Sequence, residues 1–203
     1  DAFNINIAKF KTHGMGVTLT SKNWQGTNIH PYVHYCESLS KLTRGKAASF
    51  IADVNPEFSD NVTALHAQHL EAGVPRWDRP GSDWNSGWGM EGWSQKTLDN
   101  LSASSMDLAV IEGIYGRDGN WMDGPHAGKS QDFLTNILIF GKNPIKVDII
   151  GHWLAGHEPG NFGLFHSAQT RGLTNTVNPH DIPIYNWESG QPARESLDSF
   201  TRT

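Results

Sequence analysis

Three places in this chain carry acids, imidazoles and amines just beyond short apolar runs, and each could do chemistry. Lys11 and His13 follow the first run. Glu112, Asp118, Asp123 and His126 follow the second, and Lys142, Asn143 and Asp148 follow the third. Carboxylates and imidazoles in one cleft suit a hard or borderline divalent metal, or acid–base catalysis. Lysines beside them suit a small anionic substrate, and backbone N–H groups at the start of a helix over 144–155 would hold an anion too. A metal would draw on His13, Glu112, Asp123 and His126. Each residue also has a plainer reading, with Glu112 and Asp123 capping turns and Asp148 paired with a surface cation.

Other spacings are less telling. His30 and His34 are four apart, as are Asp148 and His152, and His66 and His69 are three apart. Each pair shares a helical face, but two ligands make no metal site without a third. For Asp148 and His152 a charge pair along the helix is the favoured reading. Gly116, Gly119, Gly124 and Gly128 give a backbone that a ligand can approach closely. Gly141-Lys142-Asn143 lacks the spaced glycines of a phosphate loop, Glu112-Gly113-Ile114-Tyr115-Gly116 is no dinucleotide fingerprint, and no nucleophile elbow is present.

These groups meet only if the elements behind them are suitably arranged. Phe3, Ile5 and Ile7 alternate with asparagine and predict a strand over 3–10. So early a strand needs a neighbour, so further sheet partners are expected. Residues 17–23 suggest a helical turn, 30–44 a helix and 46–54 a strand. Asp60 is the expected N-cap of a helix running to Glu71 and stopped by Gly73. Residues 74–96, with Trp77, Trp84, Trp88 and Trp93 among Gly, Pro and Ser, read as a long irregular loop. It is expected to be a self-packed lid; an aromatic platform for a sugar, flat cofactor or partner is the alternative. Residues 107–114 and 136–141 read as buried strands joined by a glycine-rich loop over 115–130. Asn143-Pro144 opens a helix, 161–171 forms another before Gly172, 182–187 is an edge strand, and 191–203 is a polar surface tail. Apolar strands followed by helices predict an α/β fold with a mostly parallel sheet, which would bring all three exits to one rim.

The composition bounds the function. The chain has 203 residues, with 16 Lys and Arg against 21 Asp and Glu, for a net charge of −5. That lacks the basic excess of a phosphate-tracking protein and argues against nucleic-acid binding. At 37% hydrophobic the chain can bury a core, and no apolar run of about 18 residues could form a transmembrane segment. Cys36 is the single cysteine, so this chain alone holds neither an internal disulfide nor an iron–sulfur cluster. In the helix expected over 30–44, Cys36 reads as an inert buried thiol. The chain opens at Asp1 without a leader pattern, which suggests processing or a longer parent polypeptide.

Two stretches carry a resemblance. Ile7-Ala8-Lys9-Phe10-Lys11-Thr12-His13-Gly14, with Val17-Thr18-Leu19-Thr20-Ser21-Lys22-Asn23-Trp24-Gln25-Gly26, resembles a signature of the domain of unknown function 362 family. Residues 108–128 are similar to that family's glycine-rich loop, and Asn143-Pro144-Ile145-Lys146-Val147-Asp148 to its Asp-Pro helix start. Glu112 stands where the family usually has Asp, and Asn143 where it has Asp before Pro144. The motifs span residues 1–26 and about 106–172, leaving 27–105 as an insertion. The resemblance implies an α/β domain, here without its usual N-terminal stretch, and little about activity. It marks Lys11, His13, Lys22, Asn23, Glu112, Gly113, Gly124 and Asp148. Some members carry ferredoxin-type cluster segments, and members with long insertions are often exported, which leans toward a periplasmic place.

Two principal functions follow as expectations, and a third stands beside them. One is an enzyme acting on a small anionic substrate at the rim, with Lys11, His13, Lys22, Glu112, Asp123 and Asp148 as catalytic candidates. Asn23, Gly113, Gly124 and Asn143 would then hold substrate or cofactor, a divalent metal being the cofactor that the donor set suits. The other is a non-catalytic subunit of a larger assembly, held to a preceding polypeptide or to other subunits. A carbohydrate-binding module built on the tryptophans is a third.

Overall fold

A computed structural model describes residues 2–13, 16–27, 56–75, 87–118, 131–188 and 190–202. Strands β1 (Ile5–His13) and β2 (Gly16–Thr18) lead to helix α1 (Thr20–Trp24). Helices α2 (Pro56–Glu71) and α3 (Gly87–Ala103) precede strands β3 (Leu108–Asp118) and β4 (Gln131–Gly141). Helices α4 (Pro144–Leu154) and α5 (Gly163–Thr170) follow, then strands β5 (Ile184–Asn186) and β6 (Ala193–Glu195). No helix among the described residues is long and apolar enough to cross a membrane.

The fold is α/β, but the sheet is mixed rather than mostly parallel. Its order is β2-β1-β3-β4; β1 and β3 are parallel, whereas β1–β2 and β3–β4 are antiparallel. The run 136–141, expected to be a buried strand, alternates between exposed and half-buried residues, and nothing in so short an apolar run reveals its direction. β2 pairs only with Lys11, Thr12 and His13. Over residues 5–10 no strand among the described residues pairs with the outer edge of β1, so the expected neighbour is supplied on one side only. β5 and β6 form a separate two-stranded sheet.

The helices cover one face of the four-stranded sheet. Ala8, Phe10, Ala109 and Ile111 point into this side and are buried, the last three against Leu19, Val147, Ile150 and Leu154. Backbone approaches are close there. A Cβ on Gly113 would stand 2.8 Å from Ile137 Cγ1, and one on Gly151 would stand 2.6 Å from Ile111 Cδ1. A second cluster joins α3, α4 and α5 through Met90, Trp93, Leu98, Ile149 and Phe165.

Helix α3 corrects the expected irregular loop over residues 87–96. Met90, Trp93, Thr97, Leu98 and Leu101 recur at helical spacing and are buried or half-buried. Three glycines weaken the helix by up to about 1 kcal/mol each, and burial of this face offsets them. Helix α2 begins at Pro56, one turn before the expected cap Asp60, and Gly73 follows its end at φ +72°. Gly172, also at φ +72°, follows α5 as expected.

The tail is more than a polar surface strip. Leu197 is buried in the first cluster. Arg202 donates from Nε to Trp153 O and from Nη2 to His157 O, both at 3.0 Å, and its guanidinium lies 4.7 Å from the Trp153 ring centre.

Among the described residues no helix covers the opposite face of the sheet, and Trp187 stands beside Phe140 with ring centres 6.1 Å apart. Register places Ile7, Val110 and Phe140 in one row across this face. The next rows hold Lys9, Glu112 and Leu138, then Tyr115 and Leu134. Ile7 is 63% exposed, Leu138 60%, Leu134 66% and Phe140 48%.

Candidate functional site

The expected rim is divided between the two ends of the sheet. β1 and β3 do run the same way, so Lys11 and His13 share an end with Arg117 and Asp118. Thr12 Oγ1 donates to Asp118 Oδ1 at 3.2 Å across that end. β4 runs back, and its exit at Gly141 lies opposite Ala109. Lys142 and Asn143 therefore leave the sheet eight residues of strand from Arg117, roughly 25 Å away. Asp123, Gly124, His126 and the pair His30 and His34 lie outside the described residues, as do the expected helix over 30–44 and strand over 46–54.

Glu112 sits in mid-strand, not in a loop. Its Oε2 accepts from Lys9 Nζ at 2.7 Å and its Oε1 from Ile114 N at 2.9 Å. The Lys9 hydrogen bond holds the carboxyl below its ordinary range, against some desolvation. A carboxylate so held stays ionised and makes a poor proton donor. Farther along the same face Arg117 makes a two-pronged bond to Asp132, at 2.7 and 3.0 Å. Lys11 is half-buried in the row of Arg117.

Asp148 is neither at the rim nor paired with a cation. It is fully buried behind the sheet, where Oδ1 accepts from Thr20 N at 2.7 Å and Thr20 Oγ1 at 2.6 Å, and Oδ2 from Ser21 N at 2.8 Å. It thus satisfies the first N–H groups of α1 from another helix. Burial pushes its pKa up to about 6, against the pull of the bonds from Thr20 and Ser21. His152, one turn on, does not pair with it. Its ring stacks on Phe162 at 5.0 Å and 9°, and no hydrogen bond reaches Nδ1 among the described residues. Burial, with His157 nearby, lowers its pKa to about 3.

The remaining candidates also serve the fold. Asn23 Nδ2 donates to Asn6 Oδ1 at 2.6 Å, and Asn6 Nδ2 to Thr20 O at 2.6 Å, tying α1 to β1. Lys22 lies in the last turn of α1. Asn143 caps α4 as expected, accepting from Lys146 N at 3.0 Å, and also donates to Leu173 O at 2.9 Å. Gly113 faces packed side chains.

A buried acid that sequence reasoning did not single out is Glu91, in α3. Its Oε2 lies 2.9 Å from His69 Nδ1, and its Oε1 accepts from Gln95 Nε2 at 2.7 Å. The spacing Glu91-x-x-x-Gln95 was the available signal, obscured by the irregular reading of that stretch. Among the described residues no three His, Cys, Asp or Glu side chains converge as a metal would need. The described geometry thus offers paired charges and one bare apolar face.

A family profile described as domain of unknown function (DUF362) matches residues 2–152, a span that includes both the Lys-Thr-His stretch and the Asn-Pro helix start. Comparison with curated proteins and with solved structures finds no match.

Proposed function

We propose, from the premise that the chain belongs to the domain of unknown function family DUF362, that it serves as a non-catalytic component of a larger assembly, docking through the open face of its sheet. One observation carries this reading: Ile7, Leu134, Leu138 and Phe140 stand about half exposed or more on adjoining rows. Apolar patches of this extent mark interaction surfaces. The charges on the face are already engaged, Lys9 with Glu112 and Arg117 with Asp132. That suits a surface to be covered more than a site that must change charge during a reaction.

The test is oxidative footprinting of the native particle. Ile7, Leu138 and Phe140 are expected to be protected there and labelled once the particle is dissociated. Labelling in the native particle at the rate of exposed side chains would overturn the reading.

A second reading keeps an acid–base or metal-assisted enzyme acting on a small anion. It rests on Lys11 and His13 sharing one end of a parallel strand pair, with Glu112 part-way along β3. His13, Asp123 and His126 would hold a divalent metal, Glu112 being kept back in mid-strand by Lys9 and Ile114 N. Elemental analysis with anion-induced thermal shifts tests it, since a bound anion or metal raises the melting temperature.

A further inference from the structure

The open face also indicates what covers it. We infer that its partner is a second copy of this chain, packed face to face about a two-fold axis; this rests on the assembly reading above. Ile5, Ile7, Tyr115, Leu134, Leu138 and Phe140, each about half exposed or more, together present on the order of 700 Å² of accessible surface, near the roughly 800 Å² per partner of a stable interface.

The arrangement suits an identical surface. Along the sheet the face runs from the row of Ile7 and Phe140, through the Lys9–Glu112 pair beside Leu138, to Tyr115 with Leu134 and then Lys11 with Arg117 and Asp132. Each of these two ion pairs is closed within its own chain, at 2.7 Å for Lys9–Glu112 and 2.7 Å for Arg117–Asp132. Two copies therefore meet without opposing unpaired like charges from these groups. A two-fold contact uses the same patch twice, and twisted sheets stack in this way about 10 Å apart with interdigitated aliphatic side chains. A nucleic acid or an acidic peptide would instead need an excess of free cations on the face.

The experiment measures the mass of the full chain by light scattering over a dilution series, with footprinting on the same samples. Two chains per particle are expected, with Ile7 and Leu138 protected. Leu138→Lys is expected to weaken association by about thirtyfold or more. Leu138→Gln, a milder change, should weaken it less, and Glu57→Lys, on exposed α2, should leave it unchanged; circular dichroism melts report folding for each. A two-chain particle that survives both Leu138 variants would place the contact elsewhere and overturn the inference. A particle joining one copy to a different polypeptide, with Ile7 and Leu138 protected, overturns the second copy and spares the assembly reading. A lone chain with both residues freely labelled overturns both.

Discussion

The two faces of the four-stranded sheet come from alternate residues of the same strands and have opposite surroundings. On one side Ala8, Phe10, Ala109 and Ile111 are buried under α1 and α4, with Gly113 and Gly151 making room for close contact. On the other, Ile7 and Leu138 are as apolar but mostly exposed, and Phe140 is half exposed beside the Trp187 ring. Hydrophobic character alone does not determine which face a single chain covers. The covered face is marked by glycines and by buried polar ties such as Asp148 to Thr20, and the open face by ion pairs at the surface.

This contrast can be broken by substitution, and the largest effects belong to the covered side. Ile111→Ala should cost about 2–5 kcal/mol of unfolding free energy in urea. Asp148→Ala strands the N–H groups of Thr20 and Ser21 and should cost about 3 kcal/mol or more. A comparable loss from Ile7→Ala in a lone chain would erase the distinction between the faces.

Acidity sharpens it next. Burial raises the Asp148 pKa to about 6 in the fold, against an ordinary 3.8. Between those values the folded chain keeps a proton that the unfolded chain loses, so stability falls as pH rises from about 4 to about 6. His152 works oppositely. Its pKa of about 3, against an ordinary 6.5, means that its contribution is present above 6.5 and lost as pH falls through 3. From about pH 4 to 6 the two slopes nearly cancel. Asp148→Asn should leave stability rising with pH by about 1.4 kcal/mol per unit, and His152→Phe should leave it falling by a similar amount. Urea melts at several pH values read both slopes.

Smaller effects follow. Gly151→Ala brings a methyl to 2.6 Å from Ile111 Cδ1 and should cost about 1–3 kcal/mol, less up to about 1 kcal/mol of helix propensity. On the open face, Glu112→Gln should cost under about 1 kcal/mol, since the Lys9 pair is partly solvated. Its contribution is present above the ordinary 4.5 and lost as pH falls, because Lys9 lowers the folded pKa.

Much of the fold was legible where local rules act alone. Asn143-Pro144 announced a cap and first turn, and Gly73 and Gly172 announced helix stops. Strand direction was not legible, because β3–β4 pairing is a long-range choice that leaves no local trace in Ile137-Leu138-Ile139-Phe140. That one missing fact scattered the expected site, sending Lys142 and Asn143 to the far end. The role of Asp148 was hidden for a related reason. Its partners lie 127 and 128 positions away, and only tertiary structure brings Thr20 and Ser21 to it. Residues 87–96 misled through their glycines, whose cost counts for little once Trp93 and Leu98 are buried.

Arg202 closes a circuit of 49 positions by gripping Trp153 O. A protease cut within the turns between α5 and β5 would therefore leave the downstream fragment clamped in place, through Leu197 in the core and the guanidinium on the indole. The severed pieces should travel together on a sizing column and separate only in denaturant.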